Sequence, residues 1–414
     1  MGTQTRAVVA IVDVYTCSEF LLAAFSALEL DVVQVRWRPE VSPAIKDLPY
    51  RATVVGSDRE VLAAELARYA PIAIVAGQEP DVPIADFLSE RFGLASNGTV
   101  LSSARRNKFE MTEALRRTGV RCVDQLVADN VEAVVDWARS RGSYPVVVKP
   151  LTSAGTDGVA VCADAAQVRS AAQAILGSST IFDEPNDRVL IQAFLDGLEY
   201  VVDTVSCEGQ RYTCGVWEYR KRLVGVHNVY DREIAVPADA GVVHELVDYV
   251  DEVLQALDIR YGPSHAEVIL TTEGPTLVEV GARTAGNMHP EFHDRCLGGN
   301  QAALTALAYA QPHEFLAHHA GGCYRRLLDA SVYTTPTDLD GVVARINRDV
   351  IREIHGLATV WGVILKVGEG SRIKPTIDLK SSTMKVLMAG TNESDVLRDY
   401  HRVRALKDDV FHIA

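Results

Sequence analysis

The chain has 414 residues and a formal net charge of −14, with 48% hydrophobic and 23% charged residues. This length predicts two to three domains, and the composition is that of a globular protein. The acidic balance, with no basic run, argues against nucleic acid or an anionic membrane as a partner, and no apolar stretch approaches the roughly 18 residues of a membrane span. Seven scattered cysteines without a Cys-x-x-Cys pair, and an N-terminus without signal-peptide features, predict a cytoplasmic protein.

The first hundred residues alternate between strand and helix patterns. Strands are predicted over residues 7–14, 32–37 and 72–76, and helices over residues 19–28, 60–67 and 84–92. This alternation is typical of a parallel α/β unit. No Gly-x-Gly-x-x-Gly is present, which argues against a dinucleotide site.

A helix predicted over residues 102–118 and closed by Gly119 carries three cations near its start, at Arg105, Arg106 and Lys108. Cations oppose the dipole at a helix N-terminus, so either a bound anion or a solvated basic turn accounts for them. A strand over residues 122–127 and a helix over residues 131–139 are predicted next.

A short apolar strand over residues 144–149 ends in Lys149 and leads into a loop of small residues, 151–158, before a strand at 159–161. This loop lacks the Gly-Lys-Ser/Thr ending of a Walker loop. It is either a plain Gly/Ser loop or a flexible flap whose backbone N–H groups cover phosphates.

Two strands, residues 189–195 and 198–203, meet across a short turn, with Glu199 at the start of the second. Glu199 either accepts hydrogen bonds from ribose hydroxyls or is a solubility charge at a strand edge. A strand over residues 210–219 carries Trp217 and Tyr219, which either pack a substrate side chain or belong to the core. Residues 242–257 have the apolar stripe of an amphipathic helix.

Residues 265–283 predict a β-hairpin of two apolar runs around Gly274-Pro275. Folded about Glu273, the hairpin places Glu267 opposite Glu279, with Cβ atoms about 4.5–5.5 Å apart, where like charges repel. Either the pair faces solvent, or a cation such as Mg²⁺ lies between the carboxylates together with substrate phosphates. Arg283 follows and could hold a phosphate.

The last hundred residues predict a third, smaller α+β unit. Strands are predicted near residues 324–328, 358–365 and 383–388, and helices near residues 337–347 and 393–405.

The order of these parts resembles the ATP-grasp superfamily: a helix lysine, a strand-end lysine, a flap, the strand pair from Gln192 to Glu199, and the Glu267…Glu279-x-Gly-x-Arg283 hairpin. The runs at 217–221, 265–270 and 278–287 are similar to the L-amino acid ligase (dipeptide synthetase) branch. The resemblance implies an α/β and α+β multidomain protein with an N-terminal parallel α/β domain at 1–98. An ATP-grasp region at 99–319, with a flap subdomain at about 120–195, and a C-terminal α+β domain at 320–414 complete it.

The resemblance also implies roles for individual residues. Glu267 and Glu279 are the implied ligands of Mg²⁺ or Mn²⁺. The implied catalytic residues are Arg283, Glu279 and Lys149. The implied ATP contacts are Lys108 and Lys149 at the phosphates, Ser153, Ala154, Gly155 and Thr156 in the flap, Gln192, Ala193 and Leu195 at adenine, and Glu199 at ribose. The implied substrate contacts are Trp217, Tyr219, His265, Gly286, Asn287 and His289. One departure is Gly281, where the superfamily often has an Asn metal ligand.

The activity implied is that of an ATP-dependent ligase. A substrate carboxylate attacks the γ-phosphate of ATP, and an amine then displaces phosphate from the acyl phosphate to form an amide or peptide bond. The expected partners are a small-molecule carboxylate and an amine, at least one of them an amino acid, and a homodimer is an option left open. The alternatives are a biotin-carboxylase-like carboxylase and a non-catalytic ATP-binding protein. The base that deprotonates the amine also stays open, with His265 and His289 as candidates.

Overall fold

The computed structural model describes residues 6–14, 16–37, 48–224 and 227–414. The chain divides into two compact units that interleave along the sequence. Unit 1 contains residues 1–122, 201–216 and 237–325, and unit 2 contains residues 123–200, 217–236 and 326–414. The predicted boundaries near residues 98 and 319 stay a prediction. Among the described residues, no helix is both long and apolar enough to cross a membrane.

Unit 1 begins with the predicted parallel α/β sheet. Its strands and helices are β1 (Val8–Val12), α1 (Glu19–Ala27), β2 (Asp31–Arg36), β3 (Ala52–Val55), α2 (Arg59–Leu66), β4 (Pro71–Ala76) and α3 (Val82–Arg91). The strand order is β3-β2-β1-β4 and every pair is parallel. Val8 and Ala10 pack into one core and Val9 and Ile11 into another, because alternate side chains leave opposite faces of the sheet. Burial on both faces explains the continuous apolar run.

The next helix, α4 (Lys108–Thr118), begins later than the predicted residue 102. Asn107 caps it, accepting hydrogen bonds from the N–H groups of Phe109 and Glu110, and Gly119 closes it in the left-handed conformation. The preceding turns are held by the buried Arg105, which donates to the carbonyl of Gly98 and pairs with Asp86 at 2.8 Å. Lys108 is therefore the first residue of the helix.

Unit 2 opens with a four-stranded sheet and two helices: β5 (Gln125–Ala128), α5 (Val131–Arg141), β6 (Val146–Lys149), β7 (Ala160–Cys162), α6 (Ala165–Ile175) and β8 (Val189–Ala193). The order is β5-β8-β6-β7 with antiparallel pairs. The loop between β6 and β7 is the predicted flap, which we call the flap loop (residues 151–158).

The chain continues through β9 (Gly197–Cys207), β10 (Gln210–Val224), β11 (His227–Ala235), α7 (Gly241–Ala256), β12 (Gly262–Thr271), β13 (Gly274–Gly281), α8 (Pro290–Leu297), α9 (Gln301–Ala310) and α10 (Pro312–His318). Two of the unit boundaries, after residues 200 and 216, fall within β9 and β10. In unit 1 the strand order is β13-β12-β9-β10. The amphipathic helix predicted over residues 242–257 is confirmed as α7, with Val243, Leu246 and Val250 buried.

The remainder of unit 2 contains β14 (Asp329–Thr335), β15 (Gly341–Ile346), α11 (Arg348–His355), β16 (Val360–Leu365), β17 (Arg372–Ile373), β18 (Met384–Gly390), α12 (Glu393–Leu406) and β19 (Phe411–Ile413). The order β10-β11-β14-β18-β16 forms one sheet segment, and β17-β15-β19 forms a small sheet. Two predictions are wrong here. Residues 324–328 form no strand, and the helix predicted over residues 337–347 is the strand β15, which pairs with β17 and β19.

Candidate active site

The two hairpin carboxylates lie opposite each other, as the sequence predicts. Glu267 pairs with Glu279 in the antiparallel register of β12 and β13. The turn lies at Thr272 and Glu273, so an unbroken register would place Glu267 opposite Val278. A bulge between Glu267 and Val268 makes Val278 the extra residue. Bulges re-aim side chains next to active sites, and this one brings Glu279 to the same face as Glu267.

Lys108 pairs with one of these two carboxylates. Its Nζ lies 2.5 Å from Oε2 of Glu279, and both side chains are largely buried. Burial lowers the pKa of Lys108, but the carboxylates of Glu279, Glu79 and Glu267 raise it by more, so the pKa lies above its ordinary value. The ammonium therefore stays charged, and the helix start that carries it faces a cluster of three carboxylates.

Glu79 is a carboxylate of this cluster that sequence reasoning missed. It begins a 3₁₀ turn, Glu79–Asp81, three residues after β4 ends. Its Oε2 lies 3.3 Å from Nη2 of Arg283, and burial, reinforced by Glu279, raises its pKa despite Arg283 and Lys108. The position of Glu79 just after β4 could have indicated it, because open α/β sheets bind ligands at the carboxyl ends of their strands.

Gly281 makes room for Arg283. A Cβ at position 281 would lie 3.2 Å from Cζ and 3.3 Å from Nε of Arg283. Arg283 also donates from Nη1 to the carbonyl of Thr284 at 3.1 Å. The missing side chain at position 281 is therefore coupled to the position of the guanidinium, because with an Asn there the guanidinium would have to shift by a few tenths of an ångström.

His265 lies in the same strand as Glu267 and is fixed by a second residue that sequence reasoning missed. Its Nδ1 lies 2.7 Å from Oδ1 of Asp203 on β9, and both groups are buried. Its Nε2 lies 3.8 Å from Oε1 of Glu267, which is beyond hydrogen-bonding distance. Burial lowers the pKa of His265, but Asp203 raises it by more, and the net shift is upward. His265 is thus an oriented imidazole beside the carboxylate pair.

The predicted substrate residues after Arg283 lie against the segment that follows β1. The Sγ of Cys17 donates to the carbonyl of Gly286 at 3.1 Å, and the ring of Phe20 lies 5.5 Å from that of His289. Asn287 follows Gly286 in the same turn. Within unit 1, the structure therefore places Gly286, Asn287 and His289 near the first strand of the parallel sheet.

Apart from Lys108 in unit 1, the phosphate-binding residues predicted by resemblance lie in unit 2. Lys149 ends β6 and is buried. In the flap loop that follows, Ser153 donates to Asp157 at 2.6 Å, and Gly155 and Thr156 both have φ of +64°. Left-handed backbone turns of this kind can direct N–H groups at an anion. Ala154 accepts a hydrogen bond from the N–H of Asp157, which closes the turn.

The residues predicted at adenine lie along β8. Gln192 is buried and donates from Nε2 to Oε1 of Gln125 at 3.0 Å, while the N–H of Ala193 donates to the carbonyl of Asp124. Leu195 lies half-buried in the turn before β9. Hydrogen bonds to Gln125 and Asp124 thus fix Gln192 and Ala193 in the sheet, whereas Leu195 lies in the connection that follows β8.

Glu199 pairs with Lys221, a residue of the run 217–221 for which the sequence predicted no role. The Nζ of Lys221 lies 2.5 Å from Oε1 of Glu199 and 4.2 Å from the ring centroid of Tyr230. Trp217 and Tyr219 are buried, and Tyr219 packs edge-on against Tyr230 at 5.4 Å. The predicted ribose contact therefore belongs to a small cation–aromatic cluster, and the substrate roles of Trp217 and Tyr219 stay predictions.

Known proteins with sequences similar to this chain indicate its family. Residues 142–291 match the ATP-grasp domain family. The chain is similar to dapdiamide A synthase of Enterobacter agglomerans, with 34% identity over 90% of this chain and 94% of that protein. It is also similar to the L-arginine-specific L-amino acid ligase of Bacillus subtilis, with 24% identity over 51% of each chain.

Solved structures share the fold. The L-amino acid ligase of Bacillus licheniformis matches with a TM-score of 0.79 and 20% identity, covering 100% of this chain and 99% of that one. The biotin carboxylase domain of a 2-oxoglutarate carboxylase from Hydrogenobacter thermophilus, solved with MgADP, ADP and bicarbonate, matches with a TM-score of 0.66 and 14% identity. That match covers 98% of this chain and 90% of the other.

Proposed function

The chain belongs to the ATP-grasp L-amino acid ligases, ADP-forming enzymes that join a carboxylate to an amine, and we propose that its acid substrate is an amino acid. The observation that carries this proposal is the pair formed by the buried Glu79 and the partly buried Arg283, whose charged groups lie 3.3 Å apart. A zwitterionic amino acid offers the complementary pair, with its carboxylate for Arg283 and its ammonium for Glu79. The amine substrate is then a second amino acid or another small amine.

In the first step, a carboxylate oxygen of the bound amino acid forms a bond to the γ-phosphorus of ATP. The bond from that phosphorus to the β–γ bridging oxygen breaks, and ADP leaves. We assign the ATP phosphates to Lys108 and Lys149 and the acyl phosphate to Arg283. Phosphoryl transfer depends on positioning and charge neutralisation, so no covalent nucleophile is required. This reaction therefore requires cations at the phosphates rather than an activated Ser or Cys nucleophile.

Glu267 and Glu279 fit a divalent cation as the protein's share of the ligands. Mg²⁺ commonly takes one or two protein carboxylates together with substrate phosphates, and these two carboxylates face each other across the hairpin. Within the described part of the chain, no group of three or more His, Cys, Asp or Glu side chains forms a metal site. A bound Mg²⁺ or Mn²⁺ would supply further charge neutralisation at the phosphates.

In the second step, the amine nitrogen attacks the acyl carbon and phosphate leaves as the amide forms. The amine must lose a proton, and His265 and His289 are the candidate acceptors. Water would destroy the acyl phosphate, so we assign the flap loop the role of excluding it. We assign the nucleotide base to Gln192, Ala193 and Leu195 and the ribose to Glu199, as the resemblance implies.

A matrix of amino-acid pairs tests this proposal, with ADP and phosphate release measured and the product identified by mass. The expected result is ADP formation that requires an amino acid and an amide product that holds both partners. Glu79→Gln should raise KM for the acid substrate more than it lowers kcat, because it removes the charge that meets the ammonium. The exposed Glu60→Gln is the matched control. Release of AMP and pyrophosphate, or ADP formation that ignores amino acids, would refute the proposal.

A further inference from the structure

A loop near the C-terminal end of unit 2 touches the flap loop at its turn. We call residues 376–382 the latch loop. The N–H of Leu379 donates to the carbonyl of Gly155 at 3.2 Å. A Cβ at position 155 would lie 3.5 Å from Cβ and 3.8 Å from Cδ2 of Leu379, so the leucine side chain lies directly over this glycine. The contact joins residues 224 positions apart in the sequence.

The latch loop is itself held firmly. The Oγ of Ser381 donates to the carboxylate of Asp378 at 2.6 Å, and the N–H of Thr376 donates to the carbonyl of Thr337 at 2.9 Å. Lys366 donates to the carbonyl of Leu379 and to Ser382, and Ser382 also donates to the carbonyl of Leu379 at 2.7 Å. Leu379 is therefore presented by a fixed turn rather than by a free tail.

The flap loop has a second support on another segment. The carboxylate of Asp157 accepts from the N–H of Ile181 at 3.2 Å, and the hydroxyl of Thr152 donates to Glu184 at 3.3 Å. The 181–184 segment thus supports the loop through Asp157 and Thr152, whereas Leu379 contacts it at Gly155. A loop that covers phosphates must open and close, and a contact at its turn can bias that motion.

We propose that Leu379 is a positioning residue for the reaction, and that the latch loop holds the flap loop through Leu379 and Gly155 and so sets how well it shields the acyl phosphate from water. The mechanical part of this proposal, that the latch loop holds the flap loop, does not depend on the proposed function. The shielding part, that this contact sets how well water is excluded from the acyl phosphate, rests on the proposed function. Leu379 contacts no reacting atom in this account, and it acts through the backbone of residues 154–158.

Hydrogen exchange in the full-length protein tests the mechanical part without any ligand. Leu379→Ala keeps the backbone N–H and Cβ but removes Cδ2, the other side-chain atom over Gly155, so amides of residues 154–158 should exchange about fourfold faster, the factor expected for the lost burial of one methylene-sized group. Leu379→Met should restore slow exchange. Ile377→Ala, on the same loop but 45% exposed, is the control and should change nothing. Unchanged flap exchange in Leu379→Ala overturns the proposal. So does an equal rise in β6, because Leu379 would then serve only general packing.

The shielding part is tested by the ratio of phosphate released to amide formed. Leu379→Ala should raise this ratio above one and should raise KM for ATP, while Leu379→Met and Ile377→Ala keep the wild-type values. A ratio unchanged in Leu379→Ala, with faster flap exchange, overturns the shielding role. If the wild-type protein forms no amide with any amino acid, the proposed function fails, and hydrogen exchange still decides whether the latch exists.

Discussion

We predict that Lys108→Met destabilises the protein and that Mg²⁺ relieves part of the loss. Lys108 faces the carboxylates of Glu79, Glu267 and Glu279, and its Nζ lies 2.5 Å from Oε2 of Glu279. Removing one partner of a buried ion pair typically costs about 3–5 kcal/mol, because the other charge is left without compensation. The variant therefore exposes how much the ammonium contributes in the absence of ligands.

The charges of the cluster give the expected effect of Mg²⁺. Three carboxylates oppose Lys108 and Arg283, so these five groups carry a net charge of −1, and Lys108→Met makes it −2. A divalent cation brings the variant's cluster to neutrality and meets no competing ammonium at Glu279. At a concentration ten times its Kd, the ion would stabilise the variant by about 1.4 kcal/mol. The wild-type protein should gain less, because Lys108 already occupies Glu279.

Thermal unfolding with and without Mg²⁺ measures both effects. A domain of 150–250 residues loses about 2–4 °C of Tm per kcal/mol, so Lys108→Met should lower Tm by roughly 6 °C or more, and Mg²⁺ should return roughly 3 °C. Lys374→Met removes an exposed lysine and is the matched control. The reasoning fails if Lys108→Met has the same Tm as Lys374→Met, or if Mg²⁺ raises the Tm of the wild-type protein and of Lys108→Met equally.

Three further changes test other parts of the site. Arg283→Lys keeps the charge but loses the planar fork that meets Glu79, so kcat for ADP release should fall roughly 100-fold, and an unchanged kcat would remove Arg283 from the chemistry. Glu199→Gln should raise KM for ATP roughly tenfold with kcat retained, and a fall in kcat alone would contradict a ribose contact. The raised pKa of His265 stabilises the fold fully below its unfolded value of 6.5, and this stabilisation is lost as pH rises through the folded pKa. The Tm of His265→Gln should therefore fall less between pH 6.5 and 8 than that of wild type, while the exposed His401→Gln behaves like wild type.

Elements with a strong local pattern could be predicted from the sequence. The apolar runs of β1 and β2 and the stripe of α7 carry their signal within a few residues. The segment 337–347 misled the prediction because Leu339, Val342, Val343 and Ile346 have helical spacing. It forms β15 because its partners, β17 and β19, lie up to 70 residues further along the chain. Pairing over such distances has no local signature, so the tertiary contact overrides the local pattern.

The predicted pairing of Glu267 with Glu279 is correct, but the fold of the hairpin that was used to predict it is incomplete. Folding about Glu273 predicted Glu267 opposite Glu279, and the structure has that pair. The turn lies half a residue earlier than the predicted centre, and the bulge at Val278 compensates. A bulge of one residue cannot be deduced from apolar alternation, because it changes the register without changing composition. The placement of the proposed metal-binding pair thus depends on a local irregularity.

Two residues of the candidate site were hidden from the sequence for a different reason. Glu79 and Asp203 each sit in a segment with no motif of its own, and they gain meaning only beside Arg283 and His265, 204 and 62 positions away. Gly281 shows the same dependence. The sequence marks it only as a position where an Asn metal ligand is often found, and the structure shows that the guanidinium of Arg283 lies beside it. If the Glu79–Arg283 pair receives the zwitterion, the acid-binding part of the site was assembled by packing the first parallel sheet against the hairpin. A motif search confined to residues 142–291 would then identify the phosphate chemistry and overlook the carboxylate that distinguishes an amino acid from bicarbonate.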